Sequence, residues 1–106
     1  MVSINVGDIG TATSTAAAAT INHTEGQITT EALTTAAVTD YSFTLTNNAI
    51  AANSLVFVSA NNGTNTIVPI FAHSIVPSAG SVAFKVRNGH ASSALNGTLI
   101  LNFLVV

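Results

Sequence analysis

The chain contains no cysteine, which excludes a disulfide, a thiolate metal site and a thiol nucleophile in one stroke. Charge is nearly as scarce. Charged residues make up 6% of the sequence, where an ordinary soluble domain carries about 25%. The only cations of the Lys/Arg type are Lys85 and Arg87. Neutralising phosphates takes several such groups, so nucleic acid is not an expected partner. No uninterrupted apolar run approaches the ~18 residues of a membrane span. The opening Met1-Val-Ser-Ile-Asn-Val6 lacks the positive region and long apolar stretch of a secretory signal, so neither a membrane nor an export route is expected. Tryptophan is absent and Tyr41 is the single tyrosine, which leaves few aromatics for a recognition surface.

What the chain has in place of charge is hydroxyl and amide. Thr, Ser and Asn together supply 36 of the 106 residues. Such groups hydrogen-bond but do not repel one another. A net charge of −2 and a pI near 5.7 give little colloidal repulsion, and near-neutral surfaces associate. The exterior therefore reads as one meant for neighbours. A chain of 10.7 kDa folds as a single domain with roughly 5,500 Å² exposed out of about 15,500 Å² unfolded, enough burial to stand without staples.

Most of the chain alternates apolar and polar residues with period two, the signature of half-buried strands. In Tyr41-Ser-Phe-Thr-Leu-Thr46, Tyr41, Phe43 and Leu45 share a face, and Asn47-Asn48 ends the run. Ser54-Leu-Val-Phe-Val-Ser-Ala60 is a second strand, and its Asn61-Asn-Gly-Thr64 step predicts a hairpin into the segment from Thr66. Pro69 pushes Thr66–Phe71 to a sheet edge, a bulge or a strand start. Pro77-Ser-Ala-Gly80 is a turn, followed by the cleanest alternation, Ser81–Asn88, with Val82, Phe84 and Val86 facing inward. Thr98–Val106 closes the chain as a nearly continuous apolar strand, central or covered by a partner. Ile28, Leu33 and Val38 suggest one more strand and a turn before Tyr41. Residues 1–25, with a Thr/Ala tract over 11–20, carry little to bury and read as an N-terminal arm or extended segment. The expectation is thus an all-β, single-domain antiparallel β-sandwich over 26–106, jelly-roll-like, with about seven or eight short strands. Both inner faces would share all five phenylalanines, Phe57 and Phe84 among them.

The search for chemistry returns little. There is no Gly-x-Ser-x-Gly elbow, and no context selects His23, His73 or His90 as a base. Asp8, Glu25, Glu31 and Asp40 are dispersed and lack calcium-loop spacing. No catalytic residue, cofactor or metal is expected, and the chain does not read as an enzyme. Asn22-His-Thr24, Asn62-Gly-Thr64 and Asn96-Gly-Thr98 fit the glycosylation sequon, which a chain rich in Asn and Thr forms by chance. Lys85 and Arg87, two apart on a strand, project from the face opposite Phe84 and form a candidate docking spot for acidic groups. His90 beside Asn88-Gly89, and His23 with Glu25, are candidate polar contacts between subunits.

Gly26-Gln-Ile-Thr-Thr-Glu-Ala-Leu-Thr-Thr-Ala-Ala37, Phe43-Thr-Leu-Thr-Asn47, Asn62-Gly-Thr-Asn-Thr66, Val86-Arg-Asn88 and Ala94-Leu-Asn-Gly-Thr98 carry a resemblance spanning Gly26 to Val106. The pattern resembles small β-sandwich structural proteins of tailed-bacteriophage particles, of the capsid cement or decoration type. That resemblance implies a jelly-roll-like subunit that brings no catalytic residues, forms a homo-oligomer, a trimer first of all, and binds the major capsid protein across subunit seams. It implies a place on the virion's capsid surface after assembly in the host bacterial cytoplasm. The alternative is a tail fibre or tail-tip domain that binds a host receptor or glycan, which calls for exposed aromatics on its loops. A pilus or surface-layer subunit shares the composition but normally begins with an export signal.

Overall fold

The period-two alternation becomes eight strands in the computed structural model, which describes residues 9–106. They are β1 (Gly10–Thr13), β2 (Ala18–Thr20), β3 (Glu25–Thr29), β4 (Thr39–Thr46), β5 (Val56–Asn62), β6 (Ile70–Ser78), β7 (Ser81–Asn88) and β8 (Leu99–Val105). Among the described residues there is no helix. The strands form two four-stranded sheets, in the orders β1-β3-β8-β5 and β2-β4-β7-β6. The protein is therefore an all-β, two-sheet sandwich.

The longer strands pair antiparallel, as expected, but β1 runs parallel to β3 and β2 parallel to β4. The cause is the chain path. Every connection but β6–β7 crosses from one sheet to the other, so alternate strands return to the same sheet pointing the same way. The first crossing is a tight turn in which Thr15 and Ala18 exchange backbone hydrogen bonds of 3.0 and 3.1 Å. Ala16 and Ala17 adopt φ of 49° and 62° there. Residues 10–20, read from sequence as part of an extended arm, thus supply an edge strand to each sheet of their own chain; residues 1–8 of that segment lie outside the described residues.

The hairpin expected at Asn61–Thr64 is not formed, because β5 and β6 belong to different sheets. The amides of Gly63 and Asn65 instead donate to the carbonyl of Thr98, at 2.9 and 3.1 Å. The tight turn comes one strand later, where Ser78 pairs with Ser81 and Gly80 takes a φ of 81° that a side chain would resist.

The core lies between the sheets. β4 contributes Tyr41, Phe43 and Leu45, β7 contributes Val82, Phe84 and Val86, and β8 contributes Leu99, Leu101, Phe103 and Val105, all buried. The rings of Phe43 and Phe84 stack with centroids 5.2 Å apart. β8 is a central strand, which accounts for its continuous apolar run. Two of the five phenylalanines escape this scheme: Phe57 is 58% exposed and Phe71 49%. Both sit on edge strands. Val56, Val58 and Ala60 pack against the core, and alternation then sends Phe57 to the outer face.

Asparagine is also less of a surface residue than composition suggests. Asn47 and Asn88 are fully buried and Asn65 is 2% exposed. Each secures loop backbone. The Asn88 amide donates to the carbonyls of Thr35 and Ser93 while its oxygen accepts from His90 N, at 2.9 to 3.1 Å. Asn47 spans His23 O and Ala49 N, and Asn65 joins Asn62, Ile67 and Asn96. Among the described residues no buried side-chain polar atom lacks a partner, as a stable interior requires.

Candidate functional site

The outer face of the β2-β4-β7-β6 sheet gathers both cations of the Lys/Arg type, Lys85 and Arg87, together with Asp40. Because Tyr41, Phe43, Val82, Phe84 and Val86 point inward, their neighbours Asp40, Ser42, Lys85 and Arg87 point out. Strand register then places Asp40, Arg87 and Phe71 in one row and Ser42, Lys85 and His73 in the next. His73 Nε2 lies 2.9 Å from Asp40 Oδ1, and Arg87 Nη1 lies 3.7 Å from the same oxygen. The hydrogen bond from His73, joined by the positive field of Arg87 and Lys85, holds the Asp40 carboxyl below its ordinary value. Lys85 and Arg87 are therefore brought together as expected, yet Arg87 is already engaged and Lys85 is the more available cation.

β6 is irregular at this spot. Its pairing with β7 shifts between His73 and Val76, and Ser74 takes a φ of 53°. Such a bulge re-aims a side chain, and here it turns Ser74 Oγ to within 2.9 Å of His73 Nδ1. Hydroxyl, imidazole and carboxylate thus stand in the order a nucleophilic relay uses. A serine that attacks a carbonyl also needs oxyanion donors and an enclosure that keeps water out. Ser74 sits exposed on an open sheet face. Beside it, Ser42, Thr44, Val76 and Lys85 surround a depression of about 340 Å³ over the small Ala83.

The two other candidates occupy different places. His90 follows β7, and its Nδ1 accepts hydrogen bonds from the amides of Ser92 and Ser93 at 3.1 and 2.9 Å, which makes the ring an organiser of its own loop. His23 lies between β2 and β3, against Gly10, and its carbonyl accepts from buried Asn47 at 2.6 Å. Sequence reasoning missed Asp40, His73, Ser74 and Phe71 as members of the charged face. Asp40 was open to discovery, since inward Tyr41 fixes its parity, whereas a bulge in mid-strand leaves no period to read.

Eight large hydrophobic side chains are about half exposed, from Val106 at 44% to Leu55 at 62%, while the acidic Glu25 is buried. Among the described residues no three His, Asp or Glu side chains converge as metal ligands. No protein-family model, curated protein or solved structure matches the chain.

Proposed function

We propose that this protein is a non-enzymatic structural component of a tailed-phage virion, a capsid cement or decoration subunit with a jelly-roll-like sandwich. In this reading it binds the major capsid protein across subunit seams and forms a homo-oligomer, a trimer. One observation carries the proposal: half-exposed large hydrophobics outnumber the charged residues of a chain whose outer faces are otherwise Thr, Ser, Asn and Ala. Water is a poor neighbour for such a surface, and patches of this kind mark contacts with other proteins. The folded chain exposes 5431 Å², so two or three contacts of the standard ~800 Å² per partner would cover a large part of it. Lys85 and Arg87 supply the polar docking contact on the sheet face, with His90 and His23 as lesser contacts. The test is a purified-particle experiment: the protein is expected to co-sediment with intact capsids and to appear as density over their subunit seams. Its absence from particles, together with a strictly monomeric mass by light scattering at micromolar concentration, would overturn the proposal.

A second reading, a tail fibre or tail-tip domain that binds a host receptor or glycan, gains support from Phe71. Its half-exposed ring lies 5.8 Å from that of His73, in the row of Asp40 and Arg87. An aromatic plane flanked by hydrogen-bonding side chains suits a sugar ring. Saturable glycan binding abolished by Phe71→Ala would favour this reading over the first.

A further inference from the structure

Residues 10–20 close one edge of each sheet, β1 against β3 and β2 against β4, yet little apolar area holds them there. No side chain in that stretch is larger than threonine. Ala12, Ala17 and Ala19 pack against the core only partly buried, and the first large buried side chain is Ile21, beyond the end of β2. Both pairings are parallel, the slightly weaker kind per residue, and they span four and three residues. The turn between them holds Ala16 and Ala17 at φ of 49° and 62°, a region that is costly for a residue with a Cβ.

What fastens this stretch is one carboxylate. Glu31 follows β3, and its side chain reaches the turn: Oε1 accepts from the Ser14 hydroxyl, and Oε2 accepts from Ala17 N and from Tyr41 Oη of β4, each at 2.9 Å. The same Ser14 hydroxyl accepts from Glu31 N at 3.2 Å, and at 3% exposure Ser14 has little water to turn to instead. Hydrogen bonds to an ionised acceptor are roughly twice as strong as neutral ones, so a single proton on Glu31 weakens all three. Of the groups that act on this carboxyl, only Tyr41 titrates, and burial pushes its phenol up, away from the acid range. No Lys, Arg or His acts on it. Lys85, Arg87 and Asp40 lie on the outer face of the β2-β4-β7-β6 sheet, whereas Tyr41 points inward.

We propose that Glu31 is an acid-sensitive latch: charged, it holds residues 10–20 as a strap across two sheet edges, and protonated, it lets the strap lift while the sandwich stays folded, leaving β3 and β4 as open edges. This switch does not depend on the virion role. The core that β4, β7 and β8 share takes no large side chain from the strap, and strands with few buried apolar contacts open locally, below the global free energy of unfolding. Burial raises the Glu31 carboxyl, but its hydrogen bonds outweigh that and hold it below the ordinary value of 4.5. The latch is therefore closed above that value and releases as pH falls through the lowered one.

The experiment is amide hydrogen exchange on the full chain, read by NMR as protection factors from neutral to acid pH, with circular dichroism to check the fold. The amides of Ser14, Ala17 and Ala18 are expected to lose at least about tenfold in protection on acidification, the factor carried by one unit of carboxyl shift, while those of Phe84 in β7 and Leu101 in β8 hold theirs. Glu31→Gln keeps the shape and removes the charge, so it should show the lowered protection already at neutral pH and no further response to acid. His23 and Glu25, which also lie near β1, are intact in that variant, and an acid response that persists in it overturns the inference. Ser14→Ala removes the hydroxyl from the strap's side of the latch and should open the same amides at neutral pH. Protection that falls uniformly over all strands, or that stays unchanged in residues 14–18, also overturns the inference and leaves the virion role untouched.

Discussion

Thr64 and Thr98 hold each other's backbone: the amide of Thr64 donates to the Thr98 hydroxyl at 3.0 Å, and the amide of Thr98 donates to the Thr64 hydroxyl at 2.9 Å. One step outward, the Asn96 side chain closes on Thr66 in the same manner, accepting from its amide and donating to its hydroxyl at 2.8 and 2.7 Å. This clasp fastens the crossing after β5 to the segment entering β8. Gly63 and Gly97 sit where a Cβ would strike the partner threonine's hydroxyl, so the strands approach only because those side chains are missing.

Thr98→Val should therefore cost about 1–2 kcal/mol, the loss of paired hydrogen bonds in a partly exposed site, while Thr98→Ser should cost much less. Gly97→Ala adds a methyl group 2.7 Å from the backbone nitrogen of Asn65 and should destabilise the fold more than Thr98→Ser. Urea midpoints at constant m-value measure all three.

Phe84→Ala is expected to cost about 3–5 kcal/mol and Phe57→Ala less than about 1 kcal/mol, because only the first opens a cavity. Phe84 is 2% exposed against 58% for Phe57. Equal losses in chemical denaturation would contradict the placement of β5 on the sandwich edge.

This contrast shows how far the sequence could be read. Ser81–Asn88 alternates cleanly, so the bounds of β7 and its inward residues follow from period alone, and Tyr41–Thr46 behaves the same way. Leu55-Val-Phe-Val58 is apolar at every position, so its parity is ambiguous; size favours burying Phe57, but the edge strand turns the smaller Val56 and Val58, partly buried, toward the core. Asn-Gly at 62–63 carries a hairpin signal that the threonine clasp overrides, a long-range effect with no local trace. At the charged face, Lys85 and Arg87 were legible from parity, whereas His73 joined them through pairing across β6 and β7, and Ser74 through a bulge.

Acid should weaken the fold through Glu31. Burial raises its carboxyl, but hydrogen bonds from Ser14 Oγ, from its own backbone, from Tyr41 Oη at 2.9 Å and from Ala17 N at 2.9 Å outweigh that and hold it below its ordinary value. A carboxyl lowered by folding binds its proton more tightly in the unfolded chain, so its stabilisation is present above the unfolded value and is lost as pH falls through the folded one. Glu31→Gln should flatten the acid limb of a melting-temperature profile against pH. Tyr41 acts at the other end, since burial and the adjacent Glu31 carboxylate push its phenol up. Its contribution is present below the ordinary phenol value and is lost as pH rises through the folded one, and Tyr41→Phe should blunt that alkaline loss.

Val38 stands at a φ of 58° with 52% of its surface exposed. A β-branched residue pays a steric penalty in this left-handed region, and here there is little burial to offset it. Val38→Gly should stabilise the protein by about 1 kcal/mol, and Ala16→Gly, at φ 49°, by somewhat less. A fall in melting temperature for both would mean that the turns before β4 and after β1 are held differently.

Charge on the sheet face offers the most direct handle on docking. Asp40 neutralises part of the field of Arg87 and Lys85, and its lowered carboxyl keeps doing so until pH falls through that lowered value. Asp40→Asn should reproduce the protonated state at neutral pH and leave Arg87 uncompensated, and under the proposed virion role it should tighten association with a partner surface that offers acidic groups. Lys85→Glu should do the opposite and lower particle occupancy, with the combined Lys85→Glu and Arg87→Glu change lowering it further. All three variants should keep the wild-type circular dichroism, because the altered side chains lie on the outer face of a sheet whose core is on the other side. Added salt should erase the differences among them, as it screens exposed charges within a Debye length of about 8–10 Å. Occupancy that ignores both the substitutions and the salt would count against the proposed docking through this face.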